Sequence, residues 1–99
     1  MALTGRQIRQ LRSLAHHLNP VIIIGKADIN DGTVEQTNES LEAHELIKCS
    51  VLDTSSLEVR EAANELAARC HAEVVQVIGR KFSLYRATSR TDVKRIELV

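Results

Sequence analysis

The sequence predicts an α/β fold of the α+β two-layer kind, ordered α-β-α-β-α-β-β around a four-stranded mixed sheet. Three stretches carry this expectation. Four consecutive β-branched residues, Val21 to Ile24, run straight into Gly25 and Lys26 as a buried strand would. Val59, Ala62, Ala63, Leu66, Ala67 and Cys70 recur at helical 3-4 spacing without a miss. Val74–Ile78 and Phe82–Ala87 read as strands joined near Gly79-Arg80, a connection short enough for an antiparallel hairpin. A chain of 99 residues buries one modest core and cannot divide it, so one domain is expected.

The elements follow in order. Thr4 can cap a first helix while Gln7 reaches back, and Leu3 can pack on Ile8 as a hydrophobic staple. At about 100° per residue, Ile8, Leu11, Leu14, Ala15 and Leu18 share one face, and Arg6, Arg9, Arg12 and His16 form a basic stripe on another. Pro20 ends this region and releases Val21–Ile24, whose uninterrupted hydrophobicity suits a strand covered on both faces. Past the Gly25 turn, Asn30 caps a second helix, with Ile29 and Val34 in the staple positions. That helix runs to about His44. Its Glu35, Glu39 and Glu42 read as a solvated face, and Val34 and Leu41 point inward with Thr37 or Asn38 between them. Leu46–Leu52 returns as a strand, and Ser55 with Glu58 forms a capping box for the third helix. The two strand–helix–strand units should be right-handed crossovers between parallel neighbours, leaving the last strand antiparallel. Residues 89–99, "SRTDVKRIELV", show little apolar pattern and are expected to trail or dock loosely.

Composition argues for binding and against catalysis. No apolar run approaches the roughly 20 residues of a membrane span and no signal-peptide pattern follows Met1, so the chain is expected in the cytoplasm, away from membranes. Cys49 and Cys70 form no C-x-x-C pair and read as small core residues. The spacings of His44 to Cys49 and of Cys70 to His71 do not favour a metal site. A phosphate-binding P-loop needs a glycine five residues before Gly25 and a hydroxyl after Lys26, where Pro20 and Ala27 stand. Glycines at 5, 25, 32 and 79 cannot supply G-x-G-x-x-G, and no G-x-S-x-G elbow is present. The expectation is therefore a protein that is not an enzyme and needs no cofactor.

The net charge of zero conceals segregation: residues 1–27 carry +4, residues 28–65 carry −8, and residues 66–99 carry +4. A neutral chain can in this way present a basic face to nucleic acid. Arg6, Arg9 and Arg12 offer sequence-independent phosphate contacts, and Arg80, Lys81 and Arg86 lie on or beside the terminal hairpin. Tyr85 alternates with Leu84 and reads as packing, not as a platform for stacking bases.

The strings "LTGRQIRQLRSLAHHLNPVIIIGK", "LEAHELIKCSV" and "VQVIGRKFSLYR", in that order, resemble the CRM domain, named for chloroplast RNA splicing and ribosome maturation, and specifically its stand-alone bacterial YhbY-type form. The resemblance covers about residues 2–88. It implies a single RNA-binding domain over 1–88 followed by a tail over 89–99, with a fold similar to the C-terminal domain of bacterial initiation factor three. It further implies a ribosome-assembly role, in which the chain associates with precursors of the large ribosomal subunit and contacts ribosomal RNA through its phosphate backbone and shape. A monomer is expected. The family carries a G-x-x-G loop after the first strand, comparable to the KH-domain loop that clamps a nucleic-acid backbone, which implies RNA contact at Gly25 and Lys26. Here the loop reads Gly25-Lys26-Ala27-Asp28, so Asp28 replaces the second glycine and sets a negative charge where a phosphate should approach. With Asn30 as the helix cap, Asp28→Gly is expected to cost little stability. His44 and Lys48 match the family's "HEL" region, where helix-end and strand roles explain them equally well. The alternative is a protein-interaction module whose acidic second helix docks a basic ribosomal protein.

Overall fold

A computed structural model describes residues 2–99 and has the expected order, with three helices and a four-stranded mixed sheet. Helix α1 spans Gly5–Ala15. Thr4 Oγ1 accepts from the Gln7 N–H at 3.2 Å and Gln7 Oε1 accepts from the Thr4 N–H at 2.9 Å, so the capping box closes. Strand β1 is Pro20–Ile24 and helix α2 is Asp31–His44, the latter capped by Asn30 and Thr33 in a second reciprocal box. Strand β2 is Leu46–Val51, helix α3 is Val59–Cys70, and strands β3 and β4 are Glu73–Ile78 and Lys81–Tyr85.

The strands lie in the order β1-β2-β4-β3, with β1 parallel to β2 and β4 antiparallel to both of its neighbours. One expectation fails here. The second strand–helix–strand unit does not join neighbouring strands, because β4 inserts between β2 and β3. The hairpin partner of β3 thereby satisfies the open edge of β2 as well, and β3 becomes the far edge.

Strand alternation divides the side chains between two faces. Ile22, Ile24, Ile47, Cys49, Val51, Phe82 and Leu84 point to the side covered by α2 and α3, where Leu41, Ala62, Ala63, Leu66, Ala67 and Cys70 complete the main core. The layer expected against the sheet is thus made by these two helices. Helix α1 takes the opposite face, where Leu11 and Ala15 pack on Leu46, Val75 and Tyr85. It packs across β2, β4 and β3 and leaves the outer strand β1 uncovered on this side. Val21 and Ile23 on β1 are therefore 45% and 54% exposed, and the expectation of a strand buried on both faces does not hold. Leu14 and Leu18, expected on the core-facing stripe of the first helix, are exposed for the same reason.

Two further expectations give way to long-range contacts. Helix α3 starts at Val59, with Glu58 as a cap that makes no side-chain hydrogen bond; the Ser55 hydroxyl donates to Asp28 at 2.6 Å and accepts from the Leu57 N–H at 3.2 Å, two residues on, in a turn that precedes the helix. Glu42 is not simply solvated. Its carboxylate accepts from the Ser89 N–H at 2.8 Å, the Ser89 hydroxyl at 2.9 Å and the Thr88 hydroxyl at 2.8 Å. Beside it, the buried Glu45 accepts from the N–H groups of Thr88 and Ile96 at 2.7 and 2.6 Å. Residues 89–99 contain no helix or strand, yet Ile96 and Leu98 pack on the α1 cluster, and Gln10 exchanges hydrogen bonds with the backbone of Glu97 and Val99.

Candidate nucleic-acid interface

The turn after β1 is set by its last residue. The Asp28 N–H donates to the Gly25 carbonyl at 2.9 Å, closing Gly25-Lys26-Ala27-Asp28, and Asp28 adopts φ 53°, in the left-handed region that favours glycine. Gly25 has no such conformation, and a Cβ there would meet Leu52 and Thr54 side chains at an ordinary 3.5 Å. The conformational demand of the loop thus falls on position 28. Aspartate tolerates this region better than most residues, and its carboxylate is held in place: it accepts from the Ser55 hydroxyl at 2.6 Å, the Ser56 hydroxyl at 2.7 Å and the Ser56 N–H at 3.0 Å. Those donors, Ser55 first, hold the Asp28 carboxyl below its ordinary pKa. The charge is turned onto the β2–α3 connection, and these three bonds argue against the expectation that Asp28→Gly costs little stability.

The same end of the sheet carries the β3–β4 hairpin. Gly79 adopts φ 58° at its tip. Arg80 donates from Nε to the Val51 carbonyl at 2.9 Å and from Nη2 to the Leu52 carbonyl at 2.8 Å, lies 3.3 Å from Asp53, and keeps half of its side chain exposed. Lys81 is exposed and pairs across the ladder with Ser50. Because β1 and β2 end where β4 begins, Gly25 and Lys26 follow the end of β1 on the same rim as Arg80 and Lys81, with the backbones of β1 and β4 two strand spacings, about 10 Å, apart.

The α1 arginines extend this surface along the opposite face of the sheet from α2 and α3. Helix α1 starts beside Tyr85 and Glu73, where Leu3 sits, and ends with His16 beside Lys48, Ile78 and Lys81. Arg6 and Arg9 are exposed, and Arg12 donates from Nε to the Val75 carbonyl at 3.1 Å, steadying the bulged edge of β3. Arg86 is placed elsewhere. Its guanidinium donates to the Asn38 side chain at 2.8 Å and to the Cys70 carbonyl at 2.6 Å and lies 3.5 Å from Glu42, so it ties α2 to the end of α3. Seven of the eight candidate residues thus lie on the rim or the α1 face; Arg86 lies far from the rim, beside Leu3 at the start of α1, with its guanidinium turned to α2 and α3.

Lys48, Ser50 and Gln76 are part-exposed on the face of the sheet away from α2 and α3, and Ser83 between them is buried; none belongs to the eight candidates. Strand alternation points to Lys48 and Ser50, which interleave with the buried Ile47, Cys49 and Val51. Tyr85 and Phe82 are both buried, the former against α1, so neither aromatic ring offers a stacking platform. Cys49 and Cys70 are free and buried; burial pushes the Cys49 thiol up to about 12 and raises that of Cys70. Among the described residues no cluster of three metal-ligating side chains occurs, and no helix is long and apolar enough to cross a membrane.

Comparison with known proteins places this geometry. The chain is 43% identical over 96 residues to the Probable RNA-binding protein YqeI of Bacillus subtilis, covering 97% of this chain and 98% of that one. It is 35% identical over 86 residues to the Probable RNA-binding protein PA4753 of Pseudomonas aeruginosa, covering 87% and 83%. The solution structure of the hypothetical protein SAV1595 from Staphylococcus aureus superposes with a TM-score of 0.81 at 42% identity, covering 99% of this chain and all of that one. The family model of the CRS1 / YhbY (CRM) domain matches residues 3–86, and the chain belongs to that family.

Proposed function

We propose that this chain binds RNA by its phosphate backbone and shape, and that it does so in the cytoplasm, as a monomer, on ribosomal RNA within precursors of the large ribosomal subunit. The observation that carries the RNA reading is the convergence of Lys26, Arg80 and Lys81 on one rim, beside a turn whose conformation is preset by Asp28. A preset turn loses little freedom when it meets a phosphate, and clustered cations release counterions when they do. The names of the relatives support RNA as the partner, and the resemblance to ribosome-maturation proteins supports the large-subunit precursor. With both aromatics buried, recognition rests on backbone and architecture.

The test is affinity for single-stranded and structured RNA measured against salt, together with sedimentation of cell lysate on gradients. Binding that weakens steeply with salt, and migration with large-subunit precursors that ribonuclease abolishes, are the expected results. A second reading has its own observation, the exposed row of Asp31, Glu35 and Glu39 on α2, which suits a basic ribosomal protein. Migration that survives ribonuclease and is lost when these three are neutralised would favour it.

A further inference from the structure

Leu14, Leu18 and Val21 wall a groove of about 480 Å³ between the end of α1 and the start of β1, whose polar members are Asn19, His44 and Lys48. This is within the range, roughly 300–1,000 Å³, in which proteins hold small ligands. The walls stay exposed because α1 spends Leu11 and Ala15 on Leu46, Tyr85 and Val75 and does not reach the outer strand. Contiguous exposed apolar surface of this kind marks a contact site. Charge indicates the occupant. No aspartate or glutamate lines the groove or the neighbouring hollow formed by His16, Gln76, Ile78 and Lys81, although 13 of the 99 residues are acidic. Lys48 lines both.

We propose that this groove is a subsite for one unstacked RNA base, with Lys48 on the adjoining phosphate. The proposal rests on the RNA-binding reading and extends it from the rim to the open sheet face. An RNA base is planar and apolar on its faces, is polar at its edge, and is chained to anionic phosphates. The leucine and valine walls match the faces, Asn19 and His44 can hydrogen-bond the edge, and the carboxylate-free floor running to Lys81 matches the strand leaving the groove. Because Phe82 and Tyr85 are buried, this aliphatic slot takes the place that an exposed aromatic would fill in other single-strand binders.

The experiment compares a short labelled oligouridylate with an abasic ribose-phosphate strand of equal length by fluorescence anisotropy. The wild-type chain should bind the base-bearing strand roughly fivefold more tightly, as expected from the apolar area one base buries. Leu18→Ser should erase that preference while keeping the affinity for the abasic strand, and Lys48→Gln should weaken both. Leu18 lies beyond the helix and is part exposed, and Val21→Ser on the facing wall serves as a second variant. Equal wild-type affinity for the two strands, or a preference that survives in both wall variants, would overturn the subsite and leave RNA binding intact. Failure to bind either strand would remove both readings. A wild-type dimer in sedimentation velocity that Leu18→Ser dissolves would assign the groove to a second copy of the chain.

Discussion

Asp28 and Ser56 are joined twice: the Ser56 N–H donates to Asp28 Oδ1 at 3.0 Å and the Ser56 hydroxyl donates to Oδ2 at 2.7 Å. With the Ser55 hydroxyl on Oδ1, these bonds hold together two loops that are adjacent only in the folded chain. Replacing Asp28 tests two separable terms. Asp28→Gly removes the bonds but suits the left-handed backbone, whereas Asp28→Ala removes the bonds and leaves a Cβ in an unfavourable conformation. The melting temperature should fall in both variants and fall further in Asp28→Ala. If the turn is the phosphate clamp, loosening it should also weaken RNA binding in Asp28→Gly despite the lost negative charge. Tighter binding by that variant would show that charge at this position outweighs preorganisation.

Glu42 makes acid stability a readout of how the C-terminal segment is held. The Ser89 N–H, the Thr88 and Ser89 hydroxyls and the Arg86 guanidinium stabilise its carboxylate and lower its pKa from 4.5 to about 2. A carboxylate with a depressed folded-state pKa binds its proton more readily when unfolded, so stability rises with pH. The contribution is complete above 4.5 and lost as pH falls toward 2. Asp28 is shifted in the same direction and adds to the slope. Urea midpoints measured across this window should decline in the wild type and decline less in Glu42→Gln. Parallel curves would remove Glu42 from the acid response.

The cysteines should be inert in the folded chain. Cys49 is fully buried, with its thiol pushed up to about 12, and Cys70 closes the buried stripe of α3. Neither is poised as a thiolate near neutral pH. Alkylation at pH 8 should proceed only after denaturation, and Cys49→Ala and Cys70→Ala should each cost about 1 kcal/mol through lost packing, with RNA affinity unchanged. Rapid modification of native protein would contradict the packing role.

What could be read from the sequence follows the range of each interaction. The Thr4–Gln7 and Asn30–Thr33 boxes close within one turn of helix, so adjacent residues announce them. Ser55 and Glu58 carry the same signal and fail: the Ser55 oxygen accepts from the Leu57 N–H and its proton goes to a carboxylate 27 residues away, so the residue sits in a loop-to-loop contact ahead of the helix. The position of β4 between β2 and β3 is a matter of sheet pairing that no local pattern encodes. The run Val21–Ile24 has the composition of a doubly buried strand, yet its outer face is open because α1 packs on β2, β4 and β3 and does not reach β1. Basic residues were legible as residues but not as a surface: Lys81 and Arg86 sit five positions apart, and one reaches solvent beside Ser50 while the other is drawn against Asn38 and Cys70.

That divergence gives the clearest contrast between stability and binding. Arg86→Ala leaves the Cys70 carbonyl and the Asn38 side chain without their guanidinium donors and strips Glu42 of its ion pair. It should cost about 2 kcal/mol, as the loss of partly buried charge-assisted hydrogen bonds does. Lys81→Ala removes an exposed side chain that makes no hydrogen bond or ion pair among the described residues, and its melt should match the wild type. RNA affinity should respond in the reverse order. Lys81→Ala should weaken binding and flatten the dependence of log affinity on log salt by roughly 0.7 for a single-stranded RNA if one phosphate contact is lost. Arg86→Ala, measured well below its melting temperature, should leave both affinity and slope unchanged. Arg6→Gln and Arg9→Gln together extend the comparison along α1, since both side chains are exposed while Arg12 is tied to Val75. A flatter slope in that pair would place the helix in the RNA contact, and an unchanged slope would confine the contact to the rim. A flatter slope in a folded Arg86→Ala would mean instead that the RNA reaches around to the α2–α3 side, where the guanidinium would have to leave Asn38 to meet it.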